Sequence, residues 1–132
     1  AELAPDAGLW PRDVMARAHA RSISAEMHSG FAELRRQYSM EFLKIIPGIA
    51  PTEGTQAAIS RISTIWTHAR EKFGAGGDFL FGAFGIADAF YAPVVSRFHT
   101  YGVTLTGAAA AYQAAMWAHP FMREWAGKAG RE

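Results

Sequence analysis

The sequence predicts an all-α protein, an irregular bundle of about five helices. Apolar residues recur every three or four positions through most of the chain, which is the period of a helix with one buried face. Glycine and proline clusters interrupt this pattern, and no segment keeps the alternation of apolar and polar residues that a half-buried strand requires. These observations favour helices packed on helices around one core.

Composition narrows the possible functions. The 132 residues are 50% hydrophobic and 13% aromatic, so the chain can fold as one domain without disulfides. Its 13 basic and 12 acidic residues nearly cancel, and we therefore expect no nucleic-acid partner. The absence of cysteine excludes a thiolate nucleophile in this chain. The most apolar stretch, residues 79–87, is too short to cross a bilayer, and no signal-peptide pattern occurs, so we expect a cytoplasmic protein without a membrane partner.

The first predicted helix runs from about Pro11 toward Tyr38. Its apolar stripe comprises Ala16, Ala20, Ile23, Met27, Phe31, Leu34 and Tyr38. Gly30 lies within this stripe, where glycine lowers helix propensity, so it predicts a bend or a close approach of another backbone. Residues 39–51 carry two prolines and a glycine near their end, which predicts a connector in place of a continuous helix.

The second predicted helix begins after Thr52, a good N-cap residue, and ends at Gly74. Its apolar stripe comprises Ala58, Ile59, Ile62, Ile65, Trp66, Ala69 and Phe73. Glycines follow at 74, 76 and 77, but this segment lacks the lysine and the serine or threonine of a phosphate-binding loop. We therefore predict an ordinary loop at this position.

The third predicted helix begins near Gly85 and ends at Gly102, and Pro93 should kink it. Its apolar face comprises Ile86, Ala89, Phe90, Val94, Phe98 and Tyr101. An alanine-rich helix then begins at Thr106 and stops around Pro120. A last short helix holds Phe121, Met122 and Trp125.

Residues 82–93, with the sequence Gly-Ala-Phe-Gly-Ile-Ala-Asp-Ala-Phe-Tyr-Ala-Pro, closely resemble the signature of glutathione S-transferase C-terminal domains. In that family an N-cap serine or threonine and an aspartate three residues later open a buried central helix, where they satisfy its free amide groups. Asp88 matches the aspartate, so the resemblance implies a structural carboxylate and neither a general acid nor a general base. Gly85 departs from the family, because it keeps the cap conformation but has no side-chain acceptor.

The front of the chain also resembles this family. Residues 1–10 are similar to the junction between its two domains, which implies a residual interdomain linker and the end of a missing thioredoxin-like domain. Residues 11–132 then correspond to the C-terminal helical domain, and the tail around His119, Pro120 and Trp125 is similar to bacterial members. The resemblance therefore implies that the chain is part of a longer protein.

The resemblance implies a parent enzyme that conjugates glutathione to hydrophobic electrophiles in detoxification. The missing domain would bind most of the glutathione and would supply the tyrosine, serine or cysteine that activates its thiol. This chain would contribute a wall of the electrophile pocket and, through its first two predicted helices, much of a homodimer interface. It would hold no catalytic residue and no metal, so alone it should be inactive.

The first predicted helix carries a basic row, because Arg21, His28 and Arg35 recur at intervals of seven residues. Residues 26–31 resemble the corresponding helix of bacterial beta-class transferases, in which a histidine followed by lysine and glycine faces the substrate cleft. His28 matches that histidine, whereas Ser29 replaces the lysine. The alternative is that the arginines are solvated or paired with nearby glutamates or a dimer mate, and that His28 is an ordinary helix residue.

The resemblance also implies that Phe31, Tyr91 and Arg97 border the hydrophobic-substrate pocket with His28 and Arg35. The alternative for the aromatic residues is the core, where such side chains at helical spacing usually lie. No third imidazole or carboxylate stands at ligand spacing from the histidines, so we expect no metal site.

Two further interpretations stay open from the sequence. The chain could be a non-catalytic transferase-like helical module for ligand or protein binding, because a fold does not by itself specify activity. It could also be an unrelated helical bundle. Upstream gene sequence with a βαβ pattern and a proline-preceded strand would favour the enzyme.

Overall fold

The computed structural model describes residues 10–41 and 44–124, and nearly all the ordered structure is helical. The five helices are α1 (Val14–Ser29), α2 (Ala32–Gln37), α3 (Glu53–Phe73), α4 (Ile86–Thr100) and α5 (Gly107–Ala118). A further helical segment occupies residues 120–124. No strand occurs among the described residues, so the prediction of an all-α bundle of about five helices is confirmed.

An aromatic cluster at the centre of the core joins three helices. α4 packs on α1 and α5, and α3 packs on α2 and α5. The indole of Trp66 on α3 lies 6.0 Å from the ring of Tyr91, 5.6 Å from Phe98 and 4.8 Å from Tyr112. All four side chains are almost completely buried. Burial of such large rings contributes much of the hydrophobic free energy that holds the bundle together.

The first predicted helix is in fact two helices. α1 begins after Asp13, whose carboxylate accepts a hydrogen bond of 2.9 Å from the amide of Ala16, and ends at Ser29. Gly30 then adopts an extended conformation and Phe31 a left-handed one with φ of 61°, so the hydrogen-bond ladder stops before α2. The prediction of one helix from Pro11 toward Tyr38 is therefore wrong, although the break lies where Gly30 indicated a bend. The periodic apolar stripe conceals it, because its buried positions continue into α2.

The boundaries of α3 and α5 agree with the sequence. The hydroxyl of Thr52 accepts a hydrogen bond of 3.2 Å from the amide of Thr55, and α3 ends before Gly74. α5 begins after Thr106 and ends before His119. The predicted apolar stripe of α3 is buried throughout except for Phe73, which is half-buried.

The connector between α2 and α3 is irregular but is held to the bundle at both ends. The hydroxyl of Tyr38 donates to the carbonyl of Ile49 over 2.6 Å, and the side chain of Gln37 bonds to the backbone at Ala50 and Thr52. The amide of Ile46 donates to the carbonyl of Thr100, the last residue of α4, over 2.7 Å. The side-chain contacts tie the connector to the end of α2, and the Ile46 amide ties it to the end of α4.

A glycine-rich loop links α3 to α4, as predicted. Nη1 of Arg70 lies within hydrogen-bond distance of three loop carbonyl oxygens, at 2.8 Å from Gly74, 2.6 Å from Gly77 and 2.7 Å from Phe79. The loop closes through paired backbone hydrogen bonds between Phe79 and Gly82, which has φ of +94°. One charged side chain from α3 therefore organises the backbone that enters α4.

α4 is buried on nearly every side, which differs from the single apolar face that the sequence predicts. Its buried residues are Ala87, Asp88, Tyr91, Ala92, Val94, Val95, Ser96, Arg97, Phe98 and Thr100. Ile86, Ala89 and Phe90, which the sequence pattern places on the buried face, are only half-buried. Amphipathic analysis fails here because a helix in the middle of a bundle has neighbours all round.

Some predictions fall on parts of the chain for which no structure is described. They are the junction at residues 1–9 and the role of Trp125 in the last short helix. Within the described parts, no helix combines the length and the apolar character needed to cross a bilayer.

Candidate ligand groove

An open groove of about 520 Å³ lies between the end of α1, α2 and α4. We call it the basic groove, because three of its lining side chains carry basic nitrogen: His28, Arg35 and Arg97. The other lining residues are apolar: Met27, Met40, Ala89, Phe90 and Pro93. Its volume falls within the usual range for a small-molecule site.

The break between α1 and α2 places Arg35 at the groove. The side chain of Arg35 on α2 reaches back across the break to the last turn of α1, where its Nη1 lies 3.4 Å from the carbonyl oxygen of Met27. The same nitrogen bonds to the carbonyl of Gly30. Helix C-termini leave carbonyl groups unpaired and attract positive charge, so this position suits a guanidinium.

Arg97 enters the groove from α4 and is mostly buried, with 9% of its surface exposed. Its Nε donates a hydrogen bond of 2.9 Å to the carbonyl of Tyr38. Burial lowers the pKa of Arg97, and the nearby charge of Arg35 lowers it further. The guanidinium nevertheless stays protonated at neutral pH, since arginine does not lose its proton in proteins.

The two arginines have no acidic partner in the described parts of the chain. No carboxylate there lies within salt-bridge distance of Arg35 or Arg97. By contrast, the neighbouring Arg36 lies 3.9 Å from Glu33, outside the groove lining. The basic groove therefore carries two positive charges that no carboxylate of the described residues neutralises.

The structure brings together three of the five predicted pocket residues. His28, Arg35 and Arg97 line the same groove, and the His28 ring meets Phe90 edge to face at 6.4 Å. Phe31 is half-buried, packs against the core and is not among the lining residues.

Tyr91, which the resemblance places at the pocket, does not line the basic groove. It has no exposed surface, because it faces the aromatic cluster from α4. Its hydroxyl donates a hydrogen bond of 2.8 Å to the carbonyl of Ile23 on α1, and its ring packs against Trp66. Burial raises the pKa of the Tyr91 hydroxyl well above its usual range. The phenol thus joins two helices and is closed to ligands.

Sequence reasoning missed most of the apolar wall. The sequence pattern places Met27 and Phe90 in buried stripes and predicts only a kink at Pro93. A usable signal did exist on α4, because Phe90, Pro93 and Arg97 are spaced by three and four residues and so share one helix face. Met40 has no comparable signal, since it lies in the irregular connector.

Asp88 lies outside the basic groove, at the start of α4, and is 1% exposed. Its carboxylate accepts hydrogen bonds from the amides of Leu80 (3.2 Å) and Gly85 (2.8 Å) and from the hydroxyl of Tyr112 (2.8 Å). Burial raises the pKa of Asp88, and these hydrogen bonds oppose that shift. Only half of a capping box is made, because Gly85 has no side chain to bond the amide of Asp88. These contacts support the structural role predicted for Asp88 and Gly85.

Other polar clusters offer little chemistry. In residues 10–41 and 44–124, no group of three or more histidine, aspartate or glutamate side chains could hold a metal ion. His19 on α1 lies 5.2 Å from the ring of His68, but its other ring neighbours are Phe73 and Phe81. The surroundings of His19 are thus largely aromatic.

Comparison with known families adds to this geometry. A family model described as glutathione S-transferase, C-terminal domain, matches residues 17–127. That span includes the whole basic groove, the start of α4 and the helices from α2 to α5. No curated protein matched the chain at a significant level.

Proposed function

Since the chain belongs to the glutathione S-transferase family as a C-terminal domain, we propose that it forms the electrophile-binding wall of an enzyme that conjugates glutathione to hydrophobic electrophiles. In that reaction the glutathione thiolate attacks an electrophilic carbon, a carbon–sulfur bond forms and the leaving group departs with its electron pair. This chain has no cysteine, and we assign thiol activation and most of the glutathione binding to a thioredoxin-like domain outside it.

The observation that carries the proposal is the basic groove. It combines an apolar wall with a few polar groups, as small-molecule sites do, and it opens to solvent on one side. We propose that Met27, Met40 and Phe90 contact the electrophile and that His28 faces both the electrophile and glutathione. The position of His28 in the groove lining supports a likeness to beta-class enzymes.

The proposal is tested on the protein that the complete gene encodes, with glutathione and 1-chloro-2,4-dinitrobenzene as substrates. We expect turnover, and we expect Phe90→Ala to raise the KM for the dinitrobenzene several-fold. The matched control is Phe121→Ala, because Phe121 is an exposed phenylalanine outside the groove. An inactive full-length protein would instead favour a non-catalytic helical module.

The 132-residue chain provides the complementary test. We expect it to show neither turnover nor glutathione binding by calorimetry, because the thiol-activating group would lie in the other domain. Clear glutathione binding at a physiological concentration would contradict the assignment of the glutathione site to the other domain. Turnover by this chain alone would contradict it as well.

We propose that the enzyme is a cytoplasmic homodimer whose interface includes the helices from α1 to α3. Val14 and Met15, at the start of α1, support this proposal because these apolar residues are 67% and 66% exposed. Sedimentation equilibrium of the full-length protein should give a dimer, and Met15→Asp should weaken it. A monomer at micromolar concentration would contradict the proposal.

A further inference from the structure

We infer that a second ligand site lies where the end of α4 meets the connector and the start of α3, and that it takes a small neutral aromatic molecule with a hydrogen-bonding group. A cavity of about 260 Å³ occupies this place, and it shares no lining residue with the basic groove. We call it the tyrosine cavity, because Tyr38 and Tyr101 line it. The inference goes beyond the proposed function, since conjugation at the basic groove needs no ligand here.

The two tyrosines form a wall that is fixed before any ligand arrives. Their rings are buried and stack nearly parallel, with centroids 4.3 Å apart. The hydroxyl of Tyr38 donates to the carbonyl of Ile49 over 2.6 Å, and the hydroxyl of Tyr101 donates to the carbonyl of Ser39 over 2.9 Å. A ligand that contacts this wall has few side chains to order, which favours binding.

The mouth of the tyrosine cavity combines exposed apolar side chains with polar groups that can bind a ligand. Ile49 and Pro51 line it and are exposed, so a ligand would remove apolar surface from water. Gln56 and Thr104 line it as well. Within the described residues, the Thr104 hydroxyl and Oε1 of Gln56 have no hydrogen-bond partner. Nε2 of Gln56 lies 3.4 Å from the hydroxyl of Ser60, which is a long hydrogen bond that a ligand can replace.

The lining also indicates the charge and the size of the ligand. None of the described residues that line the tyrosine cavity carries a charge, so an ion entering it would lose water without gaining a counter-ion. The volume lies just below the usual range for a small-molecule site, which suits a molecule of one or two rings. A side-chain amide such as that of Gln56 both donates and accepts hydrogen bonds. An aromatic amide therefore matches the walls and the mouth together.

Two probes of the same shape test the inference by NMR titration of the isotope-labelled chain. Indole-3-carboxamide is neutral, whereas indole-3-carboxylate is an anion at neutral pH. We expect the carboxamide to shift the backbone amide signals of Gly102, Val103 and Thr104, with a Kd of about 1 mM or lower. The carboxylate should bind at least about tenfold more weakly, because the cavity offers no counter-ion.

Variants at the exposed Gln56 locate the bound carboxamide. Gln56→Trp places a large ring over the mouth of the tyrosine cavity and should weaken binding at least about tenfold. The matched control is Ala57→Trp, because Ala57 is the next residue of α3, is exposed and does not line the cavity. Gln56→Leu keeps the size of the side chain but removes its hydrogen bonds, so it should weaken the carboxamide about fivefold.

Three outcomes would overturn the inference. The first is unchanged carboxamide affinity in Gln56→Trp, which would place the probe elsewhere. The second is weaker binding in Phe90→Ala, a change in the basic groove that should leave the carboxamide unaffected. The third is equal affinity for the two probes, since the cavity would then not select a neutral ligand. None of these outcomes affects the turnover test with the dinitrobenzene, so failure of this inference is distinct from failure of the proposed function.

Discussion

The phenolic hydroxyl of Tyr112 donates a hydrogen bond of 2.8 Å to the carboxylate of Asp88, deep in the core. The two residues join α5 to the start of α4. The same carboxylate binds the amide of Leu80 and so fixes the end of the glycine-rich loop. Burial and the adjacent carboxylate raise the pKa of Tyr112 far above its usual value, so the hydroxyl remains a hydrogen-bond donor at any physiological pH.

Asp88→Ala should lower the free energy of unfolding by about 3 kcal/mol, because it leaves buried donors from two loop amides and one phenol unpaired. Tyr112→Phe removes a single bond and should cost less. Urea denaturation measures both effects. In the full-length protein, we expect Asp88→Ala to leave the KM for 1-chloro-2,4-dinitrobenzene unchanged. A raised KM with unaltered stability would show that Asp88 acts on ligands.

Gly85→Ser should raise the free energy of unfolding by about 0.3–0.5 kcal/mol, because a hydroxyl at this N-cap can accept from the amide of Asp88 and complete the capping box. The extended conformation of Gly85, with φ of −143° and ψ of −171°, is accessible to serine. Gly85→Ala is the control, since it adds a methyl group without an acceptor and should lower stability. Equal thermal midpoints for the two variants would contradict this explanation.

Arg70→Met should destabilise the protein by about 2 kcal/mol, because three loop carbonyl groups lose their charged partner. Hydrogen exchange should also accelerate at Phe79, whose amide closes the loop on Gly82. Arg61→Met is a matched control on α3. Its ion pair with Glu26, at 2.8 Å, is largely exposed and should contribute less than about 1 kcal/mol. If Arg61→Met were the more damaging change, the role assigned to Arg70 would be wrong.

Stability should fall as the pH drops through the ordinary histidine pKa of 6.5, and His19 should be one cause. Burial, and then the charges of His68, Lys72 and Arg61, lower the pKa of His19 below its ordinary value of 6.5. The unfolded chain then binds more protons than the folded one. This contribution is therefore present above pH 6.5 and is lost as the pH falls through the lower folded value.

His19→Phe is the variant that checks this prediction, since a phenyl ring suits the aromatic surroundings of His19. It should reduce the dependence of the unfolding free energy on pH. Part of the dependence should remain, because burial and Arg123 lower the pKa of His99 as well. Identical pH profiles for the variant and the wild type would exclude His19 as a contributor.

Local sequence signals predict where a helix begins and ends better than they predict which residues pack around it. Thr52, Thr106 and Gly74 mark helix boundaries through the conformation of one residue, so the sequence alone suffices for them. The core position of Tyr91 depends on α1 and α3, which are distant in sequence, and periodicity carries no information about such neighbours. Part of the basic groove was predictable through His28, Arg35 and Arg97, whereas the contribution of Met40 depends on the path of an irregular segment.

The interruption at Gly30 and Phe31 ties the shape of the basic groove to the stability of the core. α2 is only six residues long, and its angle to α1 depends on the backbone torsions of these two residues. Arg35 of α2 lines the groove, whereas Leu34 of the same helix is buried in the core and Phe31 packs against it. Substitutions at the interruption should therefore change the width of the basic groove and lower the melting temperature together. In evolution, a change in the accepted compounds by this route would require a compensating gain of stability elsewhere in the bundle.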